Sequence, residues 1–213
     1  RAKLASAAAD PRRFGAALPR IACCRCGAES LDSALSTSSD AGAGLVLVDW
    51  AVVALRPEAP RGFRHVVVID PAPSEAVEGL AWADPESHGF LHLAWGPAEL
   101  QLTERLLGRE WDLRGAIAEI WRALAAAGGE SGGAALRSVL AGASDYGRTP
   151  ESAARCVQIL CELGLCEWKP DRATPALRVL SSERTDLARS RAYGACGVRH
   201  QEAIRFLQAR AQA

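Results

Sequence analysis

The sequence predicts an α/β chain: a small doubly wound, mostly parallel sheet followed by a winged-helix-like helical domain. Three observations carry that expectation. Short apolar runs alternate with helical patterns between about residues 20 and 110. Two of those runs, at 46–48 and 66–69, are continuous rather than alternating, the pattern of strands buried on both faces of a parallel sheet. Beyond residue 111 the order changes to three helices and then a hairpin, the order of a winged helix. The expected divisions are a degenerate Rossmann-like domain over 1–110, a winged-helix-like domain over 111–182 and a helical tail over 183–213.

Strands are expected at Arg20–Cys24, Leu45–Asp49, Val66–Asp70 and Phe90–Ala94, with room for short crossover helices near 28–37, 50–56 and 74–81. Residues 1–9 read as a further helix. Pro97 suits the first turn of a helix reaching Arg109, with Leu100, Leu106 and Leu107 as its apolar positions. Asp112 is placed to cap the next helix, where Ile117, Ile120, Trp121 and Leu124 recur at three- and four-residue steps. Gly128, Gly129, Gly132 and Gly133 then predict a loop, and a short helix follows at Ala134–Ala141. Thr149, Pro150 and Glu151 read as cap, first-turn proline and favourable acid of a helix ending at Gly164. Its core face is expected to carry Ala154, Val157, Leu160 and Cys161. Strands at Leu165–Trp168 and Leu177–Leu180 flank a turn over residues 169–172, and a last helix covers Val198–Ala209.

Composition is that of a globular chain, 49% hydrophobic and 23% charged over 213 residues. The chain opens at Arg1 and holds no Met, which predicts a piece of a longer protein. No apolar stretch has membrane-helix length, and no secretory signal is legible. Seven cysteines without repeating spacing fit reduced thiols, hence a cytoplasmic location. The net charge is zero but uneven: 14 Lys+Arg against 18 Asp+Glu over residues 1–147, and 11 against 7 over 148–213.

No catalytic motif stands out. Val66–Asp70 ends in an acid like the strands that hold Mg²⁺ in nucleotide hydrolases, but the Gly-rich loop with its Lys-Ser/Thr is missing. Asp49 and Asp70 are therefore expected to be ordinary strand-end acids. Cys23, Cys24 and Cys26 lack the second pair that a zinc site needs, so the cysteines are expected to pack as small hydrophobes. His88 and His92 are four apart, yet the second lies in an expected strand. Neither a catalytic nor a metal-ligating set is expected in this chain.

A winged helix can send its second helix-turn-helix helix into DNA. On that basis the outward residues of the helix after Thr149 would be Arg148, Ser152, Arg155 and Gln158, with Lys169 and Arg172 at the wing. Of these, Arg148, Arg155, Gln158, Lys169 and Arg172 form the expected nucleic-acid-binding set, since such side chains contact phosphate or base edges.

Near the C-terminus, Ser182-Glu183-Arg184-Thr185-Asp186-Leu187 followed by Ser190 and Tyr193 resembles the terminal pattern of RecJ-type single-stranded-DNA exonucleases. The segments Leu91–Gly96, Trp111–Arg114, Trp121–Leu124 and Leu160–Leu165 are similar to the same family's C-terminal region, in the same order. The resemblance spans most of residues 45–210. It implies a parent enzyme that degrades single-stranded DNA from the 5′ end with Mn²⁺ or Mg²⁺, in recombination and repair. The family's Asp-His-His and Gly-Gly-Gly-His motifs are absent here, so no catalytic residue carries over. This chain is expected to be inactive alone and to need no cofactor. Its expected partners are single-stranded DNA, single-strand-binding protein or a helicase, and no membrane. The competing expectations are a protein-docking module without DNA affinity and a free-standing winged-helix regulator.

Overall fold

The computed structural model describes residues 20–24, 44–81, 89–143, 147–171 and 174–212. The helices expected over 1–9 and 28–37, together with Cys26, His88 and Arg172, lie outside the described residues. The chain is mixed α/β and divides into two compact units, Arg1–Gly96 and Pro97–Ala213.

In the first unit, β1 (Arg20–Cys24) and β2 (Gly44–Val48) form one parallel pair, while β3 (His65–Val68) and β4 (Phe90–Leu93) form another. The strands fall where the apolar runs predicted them, and both pairs are parallel. They are nevertheless two-stranded pairs rather than one larger sheet among the described residues. Nor is β3 buried on both faces: Val68 is 7% exposed but Val67 is 55% exposed. β-Branched residues favour extended backbone whether or not a second layer covers them, so a valine run does not by itself report two-sided burial. Helix α1 (Trp50–Leu55) follows β2, and Asp49 caps it by accepting from the Val52 amide at 2.9 Å. Helix α2 (Glu75–Ala81) joins β3 to β4 and packs against α1. Val52, Val53, Ala59, Val68, Ala72 and Ala81 form the buried apolar set of this unit.

The second unit opens with α3 (Pro97–Trp111) and α4 (Arg114–Ala126). Asp112 does not cap α4 as expected. Leu113 occupies the cap position without a side-chain bond, and its own side chain is fully buried. Burial of that leucine sets the entry of the helix in place of a polar cap. Next come β5 (Glu130–Gly132), α5 (Gly133–Ala141), α6 (Pro150–Glu162), β6 (Cys166–Lys169) and β7 (Ala176–Val179). The three strands form an antiparallel sheet in the order β5-β7-β6. β5 falls in the segment read as a glycine loop; three residues lack a periodic signal, and only pairing with β7 makes them a strand. A long helix α7 (Arg191–Gln212) ends the chain, beginning well before the expected Val198, and packs on α3 and α6.

The core of this unit gathers Leu113, Ile117, Ile120 and Leu124 with Leu136, Cys156, Ile159, Leu160 and Leu177. On α6 the buried residues are Ser152, Ala153, Cys156, Ile159 and Leu160. The expected core face is corrected in part: Leu160 is buried in the core, whereas Val157 and Cys161 pack against its margin. Ala154 is exposed, and Val157 and Cys161 are half-buried. The apolar side of α6 is wider than the buried stripe, and its margin carries Val157 and Cys161.

Gly142 follows α5 at φ 78°, and a Cβ there would lie 2.9 Å from Nη2 of Arg148. Gly142→Ala is expected to cost about 1–2 kcal/mol, from left-handed backbone and from crowding of that guanidinium. Urea unfolding measures it, and a smaller loss in an Arg148→Ala background would identify the guanidinium as the obstacle.

Candidate functional site

The outward side of α6, with the end of α5 and strand β6, is where the expected nucleic-acid-binding residues gather. Thr149 caps α6 by accepting from the Ser152 amide at 3.1 Å, as its position before Pro150 predicts. Gly164, at φ 66°, turns the chain into β6.

Arg148 points inward. Its Nε donates to the Leu140 carbonyl at 2.9 Å, Nη2 to the Val139 carbonyl at 3.0 Å and Nη1 to Glu119 Oε2 at 2.8 Å. Its backbone amide donates to the Ala141 carbonyl at 2.8 Å. One residue thus satisfies three carbonyls of the last turn of α5, groups that a helix end leaves without intrahelical partners. The side chain is only 10% exposed.

Arg155 serves a similar purpose at the end of α3. Its Nη1 donates to the Glu110 carbonyl at 3.1 Å and lies 3.0 Å from Glu110 Oε2, while the guanidinium sits 3.9 Å from the Trp111 ring centroid. Thr149 Oγ1 donates to Glu110 Oε1 at 2.7 Å, so Glu110 ties the start of α6 to the end of α3.

Gln158 is exposed, and its amide donates to Glu162 at 2.9 Å. Lys169 lies 3.8 Å from Glu130 across the sheet. Ser152 is not outward: it is 1% exposed, and its hydroxyl has no hydrogen-bond partner among the described residues. The structure places Arg155 and Gln158 on α6 and Arg148 just before its cap, but it turns both arginines to carboxylates and helix carbonyls. Sequence spacing places a long side chain on a face without showing which way its head turns.

The surface left between these residues is an apolar groove of about 660 Å³. Leu140, Pro150, Ala154, Val157, Cys161 and Trp168 line it, with Arg137 at its edge. Trp168 is 39% exposed, and Arg137 is an exposed base with no paired acid among the described residues. The sequence reading missed this surface because it assigned Val157 and Cys161 to the core. The signal that could have found it is the excess of apolar positions on α6, more than one buried stripe can use.

The thiols of Cys156, Cys161 and Cys166 are unsuited to nucleophilic work. Burial pushes the Cys156 thiol up to about 11 and the Cys166 thiol up to about 12, and burial also raises Cys161. They stay protonated near neutrality and pack as small hydrophobes. Among the described residues, no three His, Cys, Asp or Glu side chains cluster where they could hold a metal ion, and no helix is long and apolar enough to cross a membrane.

The residues that carry the exonuclease resemblance build the entry to α7. Asp186 accepts from the Ala188 amide at 3.0 Å, capping a 3₁₀ turn at Leu187–Arg189. Ser190 accepts from the Tyr193 amide at 3.1 Å and donates to Glu162 Oε2 at 2.6 Å, and that oxygen also accepts from the Ala192 amide. The Ser190 hydroxyl, then the Ala192 amide and Gln158, hold the Glu162 carboxyl below its usual range. Because the folded value lies below the unfolded one, this contact supports the fold above the ordinary carboxylate range. It is lost as pH falls through the depressed value. Ser190→Ala is expected to cost about 1 kcal/mol through the lost cap. It should also move the Glu162 titration upward, read by NMR of the carboxyl carbon; an unmoved titration would contradict the assignment.

No family model matches this chain, and neither a curated protein nor a solved structure matches it.

Proposed function

We propose that this chain is a non-catalytic accessory region of a RecJ-like 5′–3′ single-stranded-DNA exonuclease, and that its second unit is a winged-helix-like fold that docks protein rather than reading duplex DNA. The parent enzyme rests on the ordered motifs of the sequence. The winged-helix reading is supported by the order α4-β5-α5-α6-β6-β7 and by the antiparallel arrangement β5-β7-β6. The observation that carries docking is the character of α6. Its exposed positions include Glu151, Ala154, Gln158 and Glu162, and its one base, Arg155, is already paired, as is Arg148 just before it. A helix read against a phosphate-lined groove needs free donors and cations; this one offers acids beside an apolar groove.

The test uses the full chain, a 5′-labelled single strand and its matched duplex, with Mn²⁺, over a salt series, followed by a denaturing gel. A separately produced RecJ-like exonuclease core is titrated in parallel. Neither strand should shorten, and duplex affinity should not respond to Gln158→Ala or Val157→Asp. Val157→Asp should abolish association with the core. Shortening would overturn the non-catalytic reading, a duplex response to the α6 substitutions would overturn docking, and failure to bind the core would remove the proposed parent.

A further inference from the structure

We propose that the open face of the β3–β4 pair is a stacking site for unpaired nucleobases. The parallel register sets His65 beside Phe90 and Val67 beside His92. All four residues are exposed, Val67 and Phe90 by 55% and 53%. Their rings form one cluster. The His65 imidazole stacks on Phe90 with centroids 5.2 Å apart and planes within 14°, and lies edge to edge with His92, centroids 5.3 Å and planes 25° apart. A hydrogen bond of 3.0 Å between His65 Nδ1 and His92 Nε2 ties the two imidazoles together. Near-parallel rings held in place on an exposed strand pair form an unfinished stack, and every nucleobase has a face that can extend it.

The occupant follows from charge as well as from the rings. Arg64 directly precedes His65, and Arg61 lies three residues earlier. Both are exposed and neither is paired with an acid among the described residues, in contrast to Arg148 and Arg155 of the second unit. Exposed arginines close in sequence to exposed rings suit a strand that presents phosphates and unstacked bases together. An apolar protein segment would use the rings but leave both cations without partners. Duplex DNA keeps its bases inside the stack and could not use the rings. The site is thus suited to single-stranded nucleic acid, and because stacking ignores the sugar, DNA and RNA should both serve.

This inference stands on the ring geometry of the first unit and survives if the docking reading of α6 fails. The experiment measures anisotropy of the full chain with labelled oligothymidylate, oligouridylate and an abasic deoxyribose-phosphate strand of equal length. Oligothymidylate should bind about tenfold tighter than the abasic strand, with oligouridylate within a few-fold of it. Phe90→Leu keeps apolar bulk without a ring and should bring oligothymidylate down to the abasic affinity; Phe90→Trp should restore it. Val157→Asp should leave base-dependent binding unchanged, which separates this site from the groove on α6. Equal binding of base-bearing and abasic strands, an unaffected Phe90→Leu chain, a strong preference for oligouridylate, or no binding at all would each overturn the proposal.

Discussion

Arg148→Ala is expected to destabilise the protein by about 2–4 kcal/mol, one of the largest effects available to a single charged residue in this chain. The loss has identifiable components. The Val139 and Leu140 carbonyls lose charge-assisted donors, and a nearly buried side chain leaves a hole between α5 and α6. Glu119 contributes less, because it is 46% exposed and can return to water. For a unit of this size the change amounts to a fall of roughly 10 °C in Tm, readable by differential scanning fluorimetry. Arg148→Lys should recover less than half of it, since an ammonium cannot reproduce the planar fork that reaches two carbonyls and a carboxylate at once. A small effect on stability together with a large loss of DNA affinity would restore Arg148 to the phosphate-binding role expected from its position.

The second large effect separates the buried stripe of α6 from its margin. Leu160 is fully buried in the core, whereas Val157 is half-buried and lines the groove. Leu160→Ala should cost about 2–5 kcal/mol, through lost transfer free energy and the cavity left behind. Val157→Ala should cost about 1 kcal/mol or less, because its side chain already meets solvent. Urea unfolding followed by tryptophan fluorescence reads both. The reverse order would put the core on that margin and close the groove. The expected order makes Val157→Ala a change that tests docking without unfolding the chain.

Much of the element layout was legible in the sequence, for reasons that are local. Valine runs produced strands at β2 and β3, Thr149-Pro150 set the start of α6, and Gly164 ended it by taking a left-handed conformation. The repeat through Ile117, Ile120 and Leu124 marked the buried face of α4. Each of these signals acts within one turn or one strand. The motif around Ser190 was equally visible as a pattern, and in the fold it caps α7 and captures Glu162.

Where the chemistry of the surface was concerned, tertiary structure decided. A three-residue segment became β5 only because β7 pairs with it. Leu113 replaced Asp112 at the start of α4 because a core was there to receive it. On α6, packing against α4 and α5 buried Cys156, Ile159 and Leu160 and left Val157 and Cys161 at the core margin, where they also line a groove. Two arginines that sequence spacing placed toward DNA were drawn instead to helix-end carbonyls and carboxylates. In the first unit, two strands 25 residues apart in sequence came into register and assembled His65, Phe90 and His92 into one cluster. Local propensity determines which segments are helix or strand, because backbone sterics and capping act over a few residues. Which faces meet, and which side chains are left unpartnered, depends on contacts between segments distant in sequence, and only the folded chain contains those.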